Sequence, residues 1–480
     1  MALTADTRTH TARLFINGVE DATADISKLS SPIRLGKLVA GREQGGSYFR
    51  GVIADVRIYG RALSDGEALA LTPNARPSLS DPRNIRNGLK IPVQNYCDQP
   101  YVVVTKEGHW LCTLTTGPGR EGQEGQHVAS TISKDKGRTW SPLVDIEPSI
   151  GPKASWVVPL ITPGGRVYAF YTYNGDNIRA LNGKPIREDT LGWYAYRFSD
   201  DGGRSWSKER YRLPTRVTAC DRGNDWQGAV QLFWGIDKPN VVNGSAYLGF
   251  TKCGRYMAKL GEGWLFRSDN ILTELDVSKL RWELLPDGDN GIRAPELGSV
   301  QEEHAFVPVT DKIFYATCRT TLGHPLNAHS SDAGRTWTKP EVMAYTPGGR
   351  KLKTPRACPQ LWRTQDGRFL FWFHNHAGTG FTERNPVWIS GGVERNGRIH
   401  WSQPEILLYD PAARFKMSYP DLIEQDGRYW VTETQKTIAR VHEIDRTLLE
   451  SMWSQGRLKT VAREGLILES TGGPLPMPKE

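Results

Sequence analysis

The residues best equipped for chemistry sit in short runs between strand-like segments. One run is rich in glycine: Thr115-Thr-Gly-Pro-Gly-Arg120-Glu-Gly-Gln-Glu-Gly-Gln126-His127. Its glycines suit close approach to a ligand, and His127 is a candidate general acid or base. Asp98, in Tyr96-Cys-Asp98-Gln-Pro100, is a second candidate acid. A further run from Tyr171 to Asp189 mixes Tyr171, Tyr173, Asn174, Asp176 and Arg187. That mixture suits a sugar, because rings stack on its apolar face while polar groups take its hydroxyls. Phe373-His374-Asn375-His376 and Arg384-Asn385-Pro386 offer more polar groups. His374 and His376 alternate onto one face of a strand, as two metal ligands would. No third ligand accompanies them, so they read as polar binding residues and no metal or other cofactor is expected. Glu302, Glu303, Arg319, Arg356 and Tyr419 complete the set. Titratable groups converging on one concave site are the usual mark of catalysis. The fold must therefore bring together residues spread from Asp98 to Tyr419.

A repeat supplies the means. Ser133-Lys-Asp135-Lys-Gly137-Arg-Thr139-Trp140 recurs as Ser199-Asp-Asp201-Gly-Gly203-Arg-Ser205-Trp206 and as Ser330-Ser-Asp332-Ala-Gly334-Arg-Thr336-Trp337. The aspartates lie 66 and then 131 residues apart, so one copy is skipped between the second and third. Degenerate copies fit at Ser268 to Trp282 and at Asn396-Gly397 to Trp401. In such a motif Asp accepts backbone N–H bonds across a turn, Gly supplies positive φ, and Trp packs between sheets. Hairpin turns follow the same period, at Glu107-Gly108, Gly164-Gly165, Asn243-Gly244, Asp311-Lys312, Asp366-Gly367 and Asp426-Gly427. Six units of about 65 residues make an all-β, six-bladed propeller of short antiparallel strands.

Composition excludes other classes. The chain has 480 residues, 38% of them hydrophobic and 24% charged, with a mean hydropathy of -0.50. No apolar run is long enough to span a membrane, and Met1 to Thr11 shows none of the apolar run of a secretory signal. The six cysteines are scattered without a C-x-x-C pair, which argues against a zinc cluster or a disulfide framework. The excess of 61 Lys+Arg over 53 Asp+Glu gives +8. With no long basic run, that charge argues against nucleic acid and leaves a mildly basic surface or an anionic substrate pocket.

The S-x-D-x-G-x-[ST]-W motif is identified as the Asp box, or BNR repeat, and residues 88–480 resemble the sialidase superfamily. The N-terminal 1–75 differ. Arg13 to Gly18, Ile33 to Gly36, Phe49 to Tyr59 and Ala62 to Glu67 resemble the last strands of a laminin-G/concanavalin-like jelly roll. They amount to a truncated jelly-roll-like segment, with 76–87 as linker. The sialidase resemblance implies Tyr419 as nucleophile, Glu302 or Glu303 as its base, and Arg319 and Arg356 as a clamp for the substrate carboxylate. The family's first arginine lies in Arg-Ile-Pro, where this chain has Lys90-Ile91-Pro92. Lysine is a point charge and lacks the planar fork. The family's general-acid Asp has no evident counterpart in the first blade, which leaves Asp98 and His127 for that role. Tyr171, Tyr173, Arg187, Lys90, His374, Asn375 and Arg384 are expected to bind substrate. His127, Tyr171 and Arg187 are also similar to the equipment of propeller-fold ulvan lyases, although those usually have seven blades. The leading expectation is a sialidase-like, exo-acting hydrolase of an acidic oligo- or polysaccharide. A uronate lyase and a non-catalytic carbohydrate-binding propeller are the alternatives. A glycan substrate implies a secreted or periplasmic protein.

Overall fold

The computed structural model describes residues 2–6, 8–16, 19–28, 57–59, 82–257, 259–381, 384–410, 417–455 and 466–469. The expected strands at 33–36 and 49–56, the segment 62–67 and linker residues 76–81 lie outside them. The chain divides into two compact units, Pro82–Asp445 and Met1–Asp81 with Arg446–Glu480. In the second of these, Ala2–Asp6, Thr11–Ile16 and Val19–Asp25 form an antiparallel sheet. Leu466–Glu469 pairs with Arg57–Tyr59, so strands from the two ends of the chain meet. The helix Arg446–Gln455 buries Leu448, Leu449, Met452 and Trp453. Among the described residues no helix is long and apolar enough to cross a membrane.

The unit Pro82–Asp445 is all-β. Sheet I holds Tyr96–Val104, Trp110–Gly117, His127–Ser133 and Val144–Asp145. Sheet II holds Ala154–Ile161, Val167–Tyr173, Leu191–Ser199 and Tyr211–Arg212. In sheet III the inner strand is broken into Gln231–Trp234 and Asn240–Val242, followed by Ser245–Arg255, Lys259–Ser268 and Glu283–Leu285. Sheet IV has Gln301–Pro308, Phe314–Thr320, Leu326–Ser330 and Glu341–Val342. Sheet V has Gln360–Arg363, Phe369–Phe373 and Val387–Arg395, which pairs with both Arg398–Trp401 and Glu405–Leu408. Sheet VI has Ser418–Gln425, Arg428–Thr434 and Ala439–Ile444, and its outer strand is Leu89–Ile91. All pairings are antiparallel, and the first strand of each sheet turns into the second through one of the six hairpins named above.

The sheets neighbour one another in cyclic order. The inner strand of sheet I touches those of sheets II and VI, and IV lies between III and V. Sheets II and III join through Leu191–Gly192 and Gln231–Leu232. Sheets V and VI touch through their inner strands. The break in sheet III lets 235–239 reach across to other sheets. Gly235 O accepts from Gln99 Nε2 at 2.6 Å and Ile236 O from the Tyr101 hydroxyl at 2.8 Å. Lys238 Nζ donates to Asp421 Oδ2 at 2.7 Å, and Asn240 Nδ2 to Phe306 O at 2.9 Å. Inner strands of sheets I, IV and VI are thereby tied to one segment of sheet III.

The three repeated motifs fold identically. Ser133 Oγ donates to Asp135 Oδ1 at 2.9 Å and accepts from Gly137 N at 2.8 Å, while Thr139 N donates to Asp135 Oδ1 at 2.8 Å. Matching bonds recur at Ser199, Asp201, Gly203 and Ser205 and at Ser330, Asp332, Gly334 and Thr336. Each turn leans on the preceding sheet. Trp206 packs on Val103 and Leu111 of sheet I, and Trp337 packs with Leu265 and Phe306. Trp140 packs with Ile423 and Val441 of sheet VI. In the degenerate copies Trp282 meets Phe170, Tyr196 and Phe266, and Trp401 meets Tyr315 and Phe371.

Gly203 has φ +88°, and a Cβ there would lie 2.3 Å from Leu111 Cδ1. Gly203→Ala combines an unfavourable left-handed conformation with overpacking. It should lower stability by about 1–3 kcal/mol, read as a fall in the urea midpoint at unchanged slope.

Candidate active site

The site begins with a backbone irregularity. In sheets I, II, IV and VI the inner strand carries a register shift near its start, at Asp98/Tyr101, Ser155/Val158, Glu302/Ala305 and Ser418/Asp421. Within each shift one residue takes positive φ: Gln99 (49°), Trp156 (61°), Glu303 (52°) and Tyr419 (48°). A bulge breaks the in-out alternation of a strand and re-aims its side chains. Non-glycine residues in this region cost free energy and cluster at functional sites.

The bulges of sheets IV and VI bring two functional groups into contact. Tyr419 Oη donates to Glu303 Oε1 at 2.6 Å. Arg319, at the end of the neighbouring strand in sheet IV, reaches both glutamates: Nη1 lies 2.5 Å from Glu303 Oε1 and Nη2 2.8 Å from Glu302 Oε1. Arg356 adds Nη2 at 2.8 Å from the same Glu302 oxygen. Arg384 donates through Nη1 to Ser418 Oγ at 2.5 Å and through Nη2 to Arg356 O at 2.8 Å. Phe381 lies beside all three guanidiniums, with its ring centroid 4.4 Å from Arg356 Cζ. Three guanidiniums against two carboxylates leave one net positive charge. Burial, and then the charge of Glu303, push the Tyr419 phenol well above its usual range. The phenol is therefore neutral and poised on a carboxylate.

A second charged group borders Tyr419 on the sheet I side. Lys436 Nζ lies 2.6 Å from Asp98 Oδ2 and 4.6 Å from the centroid of the Tyr419 ring. The Tyr96 hydroxyl also donates to Asp98 Oδ2, at 2.9 Å. Burial raises the Asp98 carboxyl to about 6, with Lys436 limiting the rise. Lys436 also approaches Glu121 Oε2 at 3.3 Å, and Glu121 Oε1 lies 3.0 Å from Arg187 Nη2. Arg187 is anchored by Asp189 at 2.6 Å. Trp156 stacks on Trp234 and lies 6.4 Å from the Tyr419 ring.

Tyr419, Glu302, Glu303, Arg319, Arg356 and Arg384 are thus brought together, and Asp98 and Arg187 join them through Lys436 and Glu121. Other expected site residues are placed elsewhere. Lys90 is exposed on the outer strand of sheet VI, opposite Arg440. His127 Nδ1 is 2.8 Å from Gly125 O and its Nε2 3.1 Å from Asp145 Oδ1, with the ring buried. Tyr171 donates to Glu147, which Arg210 also holds. Tyr173 lies under the Arg210 guanidinium at 3.6 Å. His374 follows the second strand of sheet V, with Nδ1 3.2 Å from Pro386 O, and burial first and Arg384 second lower its pKa to about 3. Asn375 beside it has φ 51°. Among the described residues no group of three or more His, Cys, Asp or Glu is placed to hold a metal ion.

Glu121, Trp156, Trp234 and Phe381 had no role assigned from sequence. For Trp156 a signal exists. Gln99, Trp156 and Glu303 each stand nine residues before a hairpin residue (Gly108, Gly165 and Lys312), and Tyr419 stands eight before Gly427. An offset of eight or nine residues before the turn marks the bulge in these four sheets.

Comparison with known proteins gives the same architecture. Residues 1–68 match the family model for the concanavalin A-like lectin/glucanases superfamily. No curated protein matches. A point mutant of the NanB sialidase from Streptococcus pneumoniae superposes with TM-score 0.53 at 14% identity, covering 93% of this chain and 83% of that one. The fold is sialidase-like. A leech intramolecular trans-sialidase, complexed with 2,7-anhydro-Neu5Ac, gives 0.53 at 16% identity over the same shares. The Hadza microbial sialidase Hz136 gives 0.51 at 16% identity over 72% of this chain, which spans 66% of that protein. A protein of unknown function from Dyadobacter fermentans gives 0.55 at 17% identity, covering 75% of this chain and 97% of that one.

Lys436→Met should push the Asp98 carboxyl above about 6, because the ammonium is what offsets its burial. Carboxyl-carbon NMR titration of the variant against wild type reads the shift, and an unchanged or lowered value would refute this electrostatic account.

Proposed function

We propose that this chain is a sialidase-like glycoside hydrolase acting on an acidic glycan. The six sheets are the blades of a propeller whose sixth blade is completed by Leu89–Ile91, and the repeated turns are its Asp boxes. Cyclic contact among the sheets, the pairing of Leu89–Ile91 with Ala439–Ile444 and the likeness to sialidases support this reading.

The Tyr419–Glu303 hydrogen bond beside three guanidiniums carries the functional proposal. A substrate with a carboxylate next to its anomeric carbon repels a carboxylate nucleophile. A neutral phenol avoids that repulsion, and its proton leaves only as the new bond forms. Tyr419 Oη attacks the anomeric carbon while its proton passes to Glu303 Oε1. The glycosidic C–O bond breaks, and the departing oxygen takes a proton from Asp98. Water then attacks the tyrosyl-bound sugar, giving its proton to Asp98, and Glu303 returns the proton to Tyr419. Arg319, Arg356 and Arg384 hold the substrate carboxylate, which arginine's planar fork suits. Lys436 keeps Asp98 near its working range, and the exposed Phe381 offers a face to the sugar ring. The lyase reading needs His127 and Tyr171 free, whereas their polar atoms are engaged by Gly125, Asp145 and Glu147. A glycan substrate suits a secreted or periplasmic protein.

Product masses from sialosides and uronate polysaccharides test the proposal. Hydrolysis adds one water per cut, whereas an unsaturated product without added water means a lyase. Binding without any product means a carbohydrate-binding module. Tyr419→Phe should lower kcat by at least about 10³-fold, as loss of a nucleophile does. Asp98→Asn should cost about 10²–10⁴-fold on a glycan and far less on an aryl glycoside, whose leaving group needs no proton. Activity should fall as pH rises through about 6, where Asp98 loses its proton.

A further inference from the structure

Two cation groups flank Tyr419, and the function proposed above uses only the arginines to hold substrate. Arg319, Arg356 and Arg384 lie on the side of sheets IV and V. On the other side, Lys436 and Arg187 share three carboxylates, and these are not equivalent. Asp98 belongs to the inner strand of sheet I and its side chain is fully buried, while Asp189 is 1% exposed. Glu121 is 28% exposed. It lies on the glycine-rich loop between the second and third strands of sheet I. There it spans the two cations, with Oε1 3.0 Å from Arg187 and Oε2 3.3 Å from Lys436.

The loop is built for that insertion. Its base is fixed where Gln126 Nε2 donates to Ser155 Oγ at 2.5 Å, and Arg120 N donates to Gln123 Oε1 at 2.7 Å. Gly122, next to Glu121, has φ +79°, and a Cβ there would meet the Arg187 side chain at 2.8 Å. Glycine is required for the loop to lie this close. The pair favours an anion strongly. Burial alone would raise the Glu121 carboxyl, yet Lys436 and Arg187 hold it down at about 2. Lys436 itself has φ 72°, an uncommon conformation for a lysine, and its ammonium lies over the Tyr419 ring.

We propose that Lys436 and Arg187 form a second anion subsite, filled by Glu121 in the free protein and taken over by the second acidic group of a substrate that carries two neighbouring acidic sugars. This rests on the hydrolase reading above and adds the substrate class. Exchanging one carboxylate for another keeps the alternation Asp98, Lys436, anion, Arg187, Asp189. The exchange leaves the buried carboxylates in place and moves only a loop residue. A substrate with a single acidic group leaves Glu121 where it is.

The test measures binding by calorimetry in a Tyr419→Phe background, so that ligands persist. The probes are 3′-sialyllactose, with one carboxylate, and disialyllactose, with two. Glu121→Gln keeps the side-chain shape and removes the internal competitor. It should tighten disialyllactose about tenfold, because a ligand pays in affinity for each competitor it must displace, and leave 3′-sialyllactose within about twofold. Lys436→Met should abolish that gain. Unchanged or weaker disialyllactose binding by Glu121→Gln, with 3′-sialyllactose still bound, overturns the second subsite alone. Absence of binding to both probes in every variant overturns the hydrolase reading together with it.

Discussion

Glu302 Oε1 accepts hydrogen bonds from two guanidiniums at once, and its side chain has no contact with solvent. Much of the site depends on that arrangement. Arg319 comes from the second strand of sheet IV and Arg356 from the segment before sheet V, so one oxygen joins two repeats. Removing one partner from such a buried group strands the others without compensation, which typically costs about 3–5 kcal/mol. The same carboxylate also orients Arg319. It holds one edge of Arg319, leaving Nη1 to face Glu303, and Glu303 in turn receives the Tyr419 hydroxyl.

Around this pairing the fold solves a general problem of repeat architectures. Each sheet has one face for each neighbour, and both faces must be filled. The tryptophans of the repeated turns pack on the preceding sheet, so each repeat supplies part of its neighbour's core. Toward the inner strands, side chains give way to backbone. The segment after Trp234 leaves sheet III and accepts hydrogen bonds from Gln99 and Tyr101, while Lys238 is neutralised by Asp421. Four bulges then turn Gln99, Trp156, Glu303 and Tyr419 away from ordinary strand alternation. Rigid strands carrying irregular starts give positions that are both fixed and unusual, which is what a preorganised site requires.

The charges near Tyr419 form two groups with different anchoring. On one side, arginines are held by glutamates of the inner strand. On the other, Lys436 and Arg187 are held partly by buried aspartates and partly by a loop glutamate. The difference follows from local sequence. Glu302-Glu303 lies within a strand whose backbone is committed to its neighbours, whereas Glu121 lies among glycines with no ladder to hold it. The first group is therefore set by the sheet, and the second by buried aspartates together with a loop glutamate.

Much of the architecture was written in the sequence. The spacing of Asp135, Asp201 and Asp332 gives the period, and five of the six hairpin turns fall where Gly supplies positive φ, because both are local properties of a few adjacent residues. The pairing of Tyr419 with Glu303, and of Arg319 with Glu302, could be anticipated only by resemblance, since 116 residues separate the first pair. Tertiary structure decided the rest. Lys90 has the expected company of Ile91 and Pro92, yet strand pairing carries it to the outer edge of sheet VI. Asp98 and Lys436, 338 residues apart, meet because the first and last sheets are neighbours. His127 and Tyr171 have the right chemistry, but their polar atoms are occupied by nearby groups. Sequence fixes periodicity and turn chemistry, because these depend on neighbours along the chain. Which charges face one another depends on strand register, bulges and the order of sheets in space, and those exist only once the chain has folded.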